Sequence, residues 1–206
     1  MSYKELNLEN LILISRTIFE FDHFVFYGTL LGITRNNSLL DNDDDIDFLI
    51  DIKFKDEVLK KIKKENNFEI NEKVCNQYFV QLIKIKKNIK TFIDLYFYIN
   101  NEKDNYIIEK HNFLSSINID EHAIHIPKQL VFPIRKKSFL QEVNLPNKCH
   151  ELCEFLYGET WLKPLKKNSA YRMEIIKNKP KLIQRSFIGS LSREIKNFFS
   201  QKFKKK

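Results

Sequence analysis

The most constraining feature of the sequence is the stretch DNDDDIDFLI, residues 41–50, in which an acidic run leads directly into an apolar segment. The alternation of acidic and apolar residues from Asp45 to Asp51 predicts a β-strand with one apolar face. Asp45 and Asp47 then share the other face, roughly 6 to 7 Å apart along the backbone. Like charges this close repel one another unless something positive lies between them. The pattern therefore predicts a cation site at the start of a buried strand.

A third acidic residue, Asp94, interrupts the later apolar run KTFIDLYFYIN, which also has the composition of a strand. If the two strands are neighbours, Asp94 meets Asp45 and Asp47 at one edge of a sheet. Three carboxylates that converge in this way form a hard oxygen site suited to Mg²⁺, the usual partner of phosphate groups. The spacing therefore indicates metal-dependent phosphate chemistry.

Two other interpretations of the acidic run stand beside this one. The first is an ordinary solvated acidic loop. The second is a calcium-binding loop, since Asp43, Asp45 and Asp47 match its ligand positions one, three and five. The calcium pattern fails further along, because Phe48 stands where the loop requires Gly and Phe54 stands where it requires Glu.

The composition indicates one folded domain with its own core. The chain has 206 residues, of which 43% are hydrophobic and 13% aromatic, and this excludes a disordered chain. Apolar spacing of three and four residues predicts a first helix from about Leu8 to Asp22. Further patterns predict strands at residues 23–28, 76–87 and 90–100, helices at residues 55–64 and from Pro146, and a less regular span from Asn101 to Leu140. This order predicts an α/β (α+β) fold with a small mixed sheet flanked by helices.

The net charge of +8 is concentrated near the C-terminus. Residues 193–206 contain six basic residues and one acidic residue, Glu194, so this segment holds +5 of the total. A protein that binds nucleic acid would more often carry a basic face across its folded body, so we expect no nucleic-acid partner. The three cysteines follow no disulfide spacing and predict reduced thiols. A structural zinc site is the weaker alternative, with ligands from His122, His125, Cys149, His150 and Cys153.

The segment YGTLLGITR…DNDDDIDFLI resembles the signature of the LicD family of phosphotransferases, which the fukutin-related ribitol-phosphate transferases share. Such proteins have the nucleotidyltransferase (polymerase β-like) fold. The broader signature of that fold is Gly with a small hydroxyl residue or a second Gly, then Asp-hydrophobic-Asp, then an acid on a later strand. In this chain the corresponding residues are Gly28-Thr29, Asp45-Ile46-Asp47 and Asp94.

The C-terminal half is similar to the same family. The segment FPIRKKSFLQEVNLPNKCHELCEFLYGETWLKP follows the family's closing pattern, so the resemblance spans roughly Phe21 to Pro164. One position departs from the pattern, because the family usually has an aromatic residue just before the acidic cluster and this chain has Asn42. The departure concerns the wall of the pocket and not the metal ligands.

The resemblance implies a metal-dependent mechanism. Asp45 and Asp47, with Asp43, would bind Mg²⁺ or Mn²⁺ on the diphosphate of an activated donor. Asp94 would share a metal and orient or deprotonate the hydroxyl of an acceptor. The implied catalytic residues are therefore Asp45, Asp47 and Asp94.

The resemblance also implies a phosphate-binding turn. At Gly28 and Thr29 the phosphate oxygens would approach backbone N–H groups at the start of the following helix. Arg35 is the nearby fixed cation, and its guanidinium would contact a phosphate through two hydrogen bonds. The alternative for Arg35 is a surface salt bridge to the acidic loop.

The function implied is that of a LicD-like phosphotransferase. It would move a phosphorylated alcohol or sugar, such as phosphocholine or a polyol phosphate, from a nucleotide-diphosphate donor, with CDP favoured. The acceptor would be a hydroxyl of a cell-surface glycan of the capsule, lipopolysaccharide or teichoic acid type. One alternative is a nucleotidyltransferase that uses an NTP and releases pyrophosphate. The other is a catalytically silent binding module, although silent relatives usually lose a metal ligand and none is lost here.

The sequence also predicts where the protein acts. No apolar run approaches the roughly 20 residues of a membrane span, and the segment MSYKELNLEN lacks the pattern of a signal peptide, so we expect a cytoplasmic protein. The predicted catalytic domain covers residues 1–185, and residues 186–206 predict a basic amphipathic helix. Residues 187–206 would lie on the anionic inner face of a membrane and there meet a lipid-linked glycan. Alternatively, their aromatic stripe packs on the domain and only the lysines are free.

Overall fold

The computed structural model describes residues 1–65, 68–110, 123–138, 142–165 and 171–184. The predicted helix at residues 186–206 and the candidate zinc ligand His122 lie outside the described residues. The predicted domain boundary at residue 185 therefore stays a prediction.

A five-stranded mixed sheet forms the centre of the fold. Its strands are β1 (His23–Val25), β2 (Asp45–Asp51), β3 (Glu69–Ile70), β4 (Phe79–Lys86) and β5 (Ile89–Tyr98). Their order across the sheet is β1-β2-β5-β4-β3, in which β2 and β5 are parallel and the other neighbours are antiparallel. The predicted small mixed sheet of an α/β fold is confirmed.

Five α-helices accompany the described strands. They are α1 (Tyr3–Thr17), α2 (Tyr27–Asn36), α3 (Lys55–Glu65), α4 (Lys128–Val131) and α5 (Cys149–Tyr157). Helix α1 packs on β2 and β5, and α2 packs on β2 and α5. None of these helices is both long and apolar enough to cross a bilayer, a statement limited to the residues named above.

The prediction for the first helix was wrong at both ends. The helix begins at Tyr3 because the Ser2 side chain accepts a hydrogen bond from the Glu5 backbone and the Glu5 carboxylate accepts one from the Ser2 backbone. This reciprocal pair is a capping box, which starts a helix without any apolar periodicity. The helix ends at Thr17, five residues before the predicted end. The last helix likewise begins at Cys149 and not directly after Pro146.

Three short hairpins complete the described structure. They are β6 (Tyr106–Glu109) with β7 (Ile124–Pro127), β8 (Arg135–Ser138) with β9 (Glu142–Leu145), and β10 (Tyr171–Ile176) with β11 (Lys179–Gln184). We predicted a less regular span between Asn101 and Leu140. For the described residues of this span the prediction was wrong, since β6, β7, α4 and β8 lie there. The β8–β9 hairpin packs against β1 and α1. Strand β8 has the sequence RKKS, which contains no apolar residue, so no hydrophobic period could have predicted it.

Replacing Gly32 by Ala is expected to destabilise the protein. A Cβ atom at this position would lie 2.6 Å from the backbone oxygen of Ser38 and 3.0 Å from the backbone nitrogen of Leu40. Backbone cannot move aside as a side chain can, so we expect the free energy of unfolding to fall by roughly 1–3 kcal/mol. Chemical denaturation followed by circular dichroism measures the change. The exposed control Asn36→Ala should change it by less than about 0.5 kcal/mol, and a Gly32→Ala protein as stable as the wild type would contradict the close approach.

Candidate functional site

The centre of the candidate site is set by the register between two parallel strands. In the pairing of β2 with β5, Asp47 lies directly opposite Asp94. Asp45 lies two residues earlier on β2, so its side chain points to the same face. Ligand oxygens of the three carboxylates lie within 4.8 Å of one another, and Asp47 and Asp94 are buried. The structure thus brings together the three acids that the sequence predicts to converge.

The N-terminus of α2 faces the cluster and orients one of its members. The backbone N–H of Thr29 donates to Oδ2 of Asp47 at 3.2 Å, and the backbone N–H of Asp47 donates to the hydroxyl of Thr29 at 2.8 Å. The partial positive charge at the start of a helix favours an anion in this position. Thr29, predicted to bind phosphate, is therefore in contact with the acid cluster itself.

Gly28 lies directly beside two of the acids. A Cβ atom built at this residue would lie 2.9 Å from Oδ2 of Asp43 and 3.4 Å from Oδ2 of Asp47. Any larger side chain would therefore press on two carboxylates at once. The absence of a side chain at Gly28 keeps the helix start close to the acids.

The acidic loop before β2 is held by a residue that the sequence did not single out. Asn7 of α1 donates its amide to the backbone oxygens of Asp43 and Asp45, at 3.0 and 2.9 Å. Asn42 adopts the left-handed conformation, with φ of 62°. Asn tolerates this conformation better than the aromatic residue that the family usually places here. The departure at Asn42 thus has a backbone explanation in this chain.

Gln81 of β4 is a second residue that the sequence did not identify. Its Nε2 donates to Oδ1 of Asp94 at 2.9 Å, and its Oε1 accepts from Nδ2 of Asn71 at 2.6 Å. The hydroxyl of Tyr96 approaches the other oxygen of Asp94, at 3.5 Å. These partners fix the direction of the Asp94 carboxylate. Since Gln81 pairs with Asp94 only through strand register, no local sequence pattern could have revealed the contact.

Burial and crowding favour the neutral form of each acid. Burial, and after it the charges of the neighbouring carboxylates, raises the pKa of Asp45 to about 8. Burial raises the pKa of Asp94 to about 6, although the hydrogen bond from Gln81 acts in the opposite direction. Burial and the charges of the other two acids hold the pKa of Asp47 well above its usual range. None of the salt bridges between described residues includes these acids.

The donor set fits a divalent cation such as Mg²⁺ or Mn²⁺. Carboxylate oxygens are the hard ligands that these ions prefer, and a cation between them would offset both the burial and the mutual repulsion that raise the pKa values. Asp43 and Asp44 form a second cluster with Asp45, so Asp43 can also reach a cation held at Asp45. The residues that could hold the metal are therefore Asp43, Asp45, Asp47 and Asp94.

Aromatic side chains form a wall next to the acids. The hydroxyl of Tyr27 donates to the buried Glu109 carboxylate at 3.2 Å, and its ring lies 5.1 Å from that of Tyr96. Tyr27 has a positive φ of 30°, which is uncommon for a residue other than Gly. Burial, followed by the charge of Asp47, holds the pKa of Tyr157 well above its usual range. These groups are therefore phenols that can donate hydrogen bonds.

Arg35 lies at the far end of α2 from the acids. Six residues separate it from Thr29, which corresponds to about 9 Å along the helix axis. Its Nε atom is buried and has no hydrogen-bond partner, and the salt bridges of the described residues do not include it. The surface salt bridge to the acidic loop is thus not observed in the described part of the chain. The predicted phosphate contact of Arg35 stays a prediction.

The candidate zinc ligands are not brought together among the described residues. His125 stacks on Tyr106, with ring centroids 4.3 Å apart, and His150 lies edge-on to Trp161. The described His, Cys, Asp and Glu residues that could share a metal are limited to the two acidic groups above. All three cysteines are free thiols, and burial raises the pKa of Cys153 to about 12.

A solved structure has a similar fold. It is the crystal structure of lincosamide antibiotic adenylyltransferase LnuA with lincomycin bound. The TM-score is 0.50 and the sequence identity is 12%, over 74% of this chain and 85% of that chain. At this identity the likeness shows a nucleotidyltransferase-type fold and nothing about substrates.

The sequence itself identifies a family. No curated protein matches the chain significantly. The family model described as "LicD/FKTN/FKRP, nucleotidyltransferase domain" matches residues 20–148, which is more than half of the 206 residues. The matched segment contains the α2 turn, the acidic loop and Asp94, which together form the site described above. The chain therefore belongs to the LicD/FKTN/FKRP family and carries its nucleotidyltransferase domain.

Proposed function

We propose that the chain is a metal-dependent phosphotransferase that modifies a glycan. It moves a phosphorylated alcohol or sugar, of the phosphocholine or polyol phosphate type, from a nucleotide-diphosphate donor to a glycan hydroxyl. Family membership supports a phosphotransferase-type role in glycan modification. The observation that carries the proposal is the cluster of Asp45, Asp47 and Asp94, whose oxygens lie within 4.8 Å of one another beside a helix N-terminus.

The acids on β2 have a binding role in this proposal. Asp45 and Asp47, with Asp43, hold the cation, and α2 directs its N-terminal N–H groups toward the donor phosphates. When bound, Mg²⁺ or Mn²⁺ would neutralise charge on the diphosphate and on the leaving nucleotide. The backbone N–H and the hydroxyl of Thr29 both donate to Oδ2 of Asp47, at 3.2 and 3.4 Å, and so keep the carboxylate in one orientation. Arg35 provides a further phosphate contact if its side chain turns from the helix end toward the donor.

Asp94 has a different role, on the acceptor side. Its Oδ1 accepts from Gln81 at 2.9 Å, whereas Oδ2 has only the longer contact with the Tyr96 hydroxyl at 3.5 Å, so Oδ2 is the oxygen better able to accept the proton of the acceptor hydroxyl. The acceptor oxygen then forms a bond to the phosphorus that bears the head group. The bond from that phosphorus to the nucleoside monophosphate breaks, and the nucleoside monophosphate leaves with the electron pair.

Some parts of the proposal depend on the sequence alone. The preference for CDP-linked donors depends on family resemblance. The contact of residues 187–206 with an anionic membrane surface, where a lipid-linked acceptor would be met, depends on their basic amphipathic pattern. A cytoplasmic location with peripheral attachment to the inner face of the membrane is consistent with all three.

Product analysis tests the reaction itself. The purified protein is incubated with CDP-choline, CDP-ribitol or free NTPs, Mg²⁺ and a glycan acceptor, and the released nucleotide is identified by chromatography. We expect CMP from a CDP-linked donor, because the nucleoside monophosphate is the leaving group. Release of pyrophosphate from an NTP without CMP would show the nucleotidyltransferase alternative instead. Asp47→Asn should abolish release, and Asp56→Asn on the exposed face of α3 should not.

Cation binding can be tested without turnover. In metal-free buffer, Asp45→Asn should raise the midpoint of thermal unfolding by about 2–4 °C, a gain of roughly 1 kcal/mol, because the buried Asp45 must either take up a proton on folding or remain charged beside two other acids, and an amide does neither. Millimolar Mg²⁺ should raise the midpoint of the wild type, since a ligand that binds only the folded state stabilises it. The same addition should have little effect on Asp45→Asn. The control Asp41→Asn, in the same loop but exposed, should respond to Mg²⁺ as the wild type does. A wild-type midpoint that neither Mg²⁺ nor Mn²⁺ changes would contradict the metal site.

Gln81 is expected to act as a positioning residue for Asp94. Gln81→Leu leaves Oδ1 of Asp94 without its donor, and loss of such a supporting hydrogen bond typically lowers activity or metal affinity by about 10–100-fold. Asn71→Ala removes only the support behind Gln81, so we expect a smaller loss. Steady-state kinetics should show the fall in kcat with little change in the KM of the donor. Equal kcat values for Gln81→Leu and the wild type would rule out this role.

A further inference from the structure

A polar cleft of about 310 Å³ opens between the last turn of α1, strand β1 and the β8–β9 hairpin. Its wall includes Ser15, Arg16, Phe19, His23, Lys136, Glu142 and Asn144. His23 pairs with Ile50 in the sheet, whereas the acid cluster begins at Asp45, five residues earlier on β2. Five residues of a strand span roughly 16 Å. The cleft is therefore separate from the acid cluster, and its residues have no role in the proposed reaction.

The chemistry of the cleft is set by a buried histidine. Nδ1 of His23 lies 2.8 Å from the backbone oxygen of Phe21, which can only accept, so Nδ1 carries the proton. Burial lowers the pKa of His23 to about 4, so the ring is neutral at ordinary pH. Nε2 therefore carries the lone pair, and Nδ2 of Asn144 donates to it over a long 3.4 Å, so a donor that comes closer can replace this amide. The floor of the cleft thus contains a group that accepts hydrogen bonds and cannot donate them.

Two other groups near the floor are both donors and acceptors. The hydroxyl oxygen of Ser15 is buried without a hydrogen-bond partner among the described residues, although Ser15 is 5% exposed overall. The amide of Asn144 offers two hydrogens and one oxygen. A hydroxyl group can satisfy such a mixture, because it donates and accepts. A phosphate or carboxylate offers only acceptors and would face the lone pair of His23.

The rim of the cleft adds an aromatic ring and a positive charge. Phe19 is 67% exposed, and Nζ of Lys61 lies over its ring, 5.3 Å from the ring centroid. Arg16 is exposed and is not part of any salt bridge between described residues, whereas Lys136 pairs with Glu142 at 3.1 Å. The rim therefore has one uncompensated cation next to a flat apolar surface. Such a surface can cover the apolar face of a sugar ring.

A second cleft of about 550 Å³ lies on the other side of the hairpin. Lys136 lines both clefts, and the second is also lined by Arg135, Lys137 and Lys148. Glu151 is its acidic wall residue. A long ligand that extends from the first cleft past Lys136 would thus enter a strongly positive environment, which attracts anionic groups.

We propose that the cleft at His23 and Asn144 binds one sugar residue of an acidic glycan chain, whose anionic groups lie along Arg16 and the basic residues of β8. One hydroxyl of the sugar replaces the Asn144 amide as the donor to Nε2 of His23. Other hydroxyls exchange hydrogen bonds with the released amide of Asn144 and with Ser15. One face of the ring packs on Phe19. The site holds a glycan at a distance from the acid cluster and is independent of the donor and of the metal.

The test is a binding titration followed by NMR, with trigalacturonic acid as the acidic probe and maltotriose as the neutral one. Neither donor nor metal is added, so the result does not depend on the proposed reaction. Trigalacturonic acid should shift the amide signals of His23 and Asn144 in a saturable way. It should also shift the Nε2 signal of His23 in the direction expected when this nitrogen accepts a hydrogen bond from a hydroxyl. The shift should remain smaller than the one that protonation of the ring would cause. Maltotriose should bind at least about fivefold more weakly, because Arg16 and the basic strand no longer contribute.

Variants of the cleft provide the matched controls. Asn144→Leu and Arg16→Gln should each weaken binding of trigalacturonic acid by about 5–10-fold. Lys60→Gln, which removes an exposed charge from α3, should not. The Nε2 shift in the wild type tests the proposal even if a variant fails to fold. The proposal is overturned if trigalacturonic acid leaves the cleft signals unchanged, if sodium phosphate at equal ionic strength produces the same shifts, or if maltotriose binds equally well.

Discussion

The crowding of three carboxylates in a buried setting is the constraint on which the surrounding structure depends. Parallel pairing of β2 with β5 sets Asp47 opposite Asp94, so the two charges cannot separate unless the centre of the sheet comes apart. The groups that meet them are neutral donors, namely the N–H and hydroxyl of Thr29 and the amide of Gln81. Such donors fix the direction of a carboxylate but do not cancel its charge. The cluster is therefore oriented and still able to attract a divalent cation.

The helices divide the work of holding this cluster. Helix α2 directs its positive end toward Asp47, and the lack of a side chain at Gly28 allows that end to come close. Helix α1 acts from the other side, since Asn7 binds two backbone oxygens of the acidic loop. Since burial raises the pKa of every acid in the group, the metal-free arrangement is less stable than a neutral one would be. A site that lowers the free energy of unfolding when it is empty is expected where function requires it.

Local sequence patterns predicted the strands that carry the acids. They could not predict contacts between segments that are distant in the sequence. The alternation of the sequence predicted the bounds of β2, Asp45–Asp51, but not its burial, since all residues from Ile46 to Asp51 are buried and the strand is covered on both faces. Asn7 lies 36 residues from Asp43, and Gln81 lies 13 residues from Asp94. Their roles depend on how α1 and β4 pack, which no spacing within the sequence reveals. Strand β8 could not be predicted for another reason, since its four residues are all polar and form no apolar period.

Burial has opposite chemical consequences at the two ends of the β1–β2 pair. Desolvation favours the neutral form of any titratable group, so it lowers the pKa of His23 and raises that of Asp45. The neutral ring of His23 accepts a hydrogen bond at Nε2 from an uncharged donor and requires no counter-ion. A group of buried carboxylates cannot all stay ionised without a cation. One end of the strand pair therefore has a neutral hydrogen-bond acceptor and the other a group of acids that a cation would stabilise, so the two ends suit ligands of different chemistry.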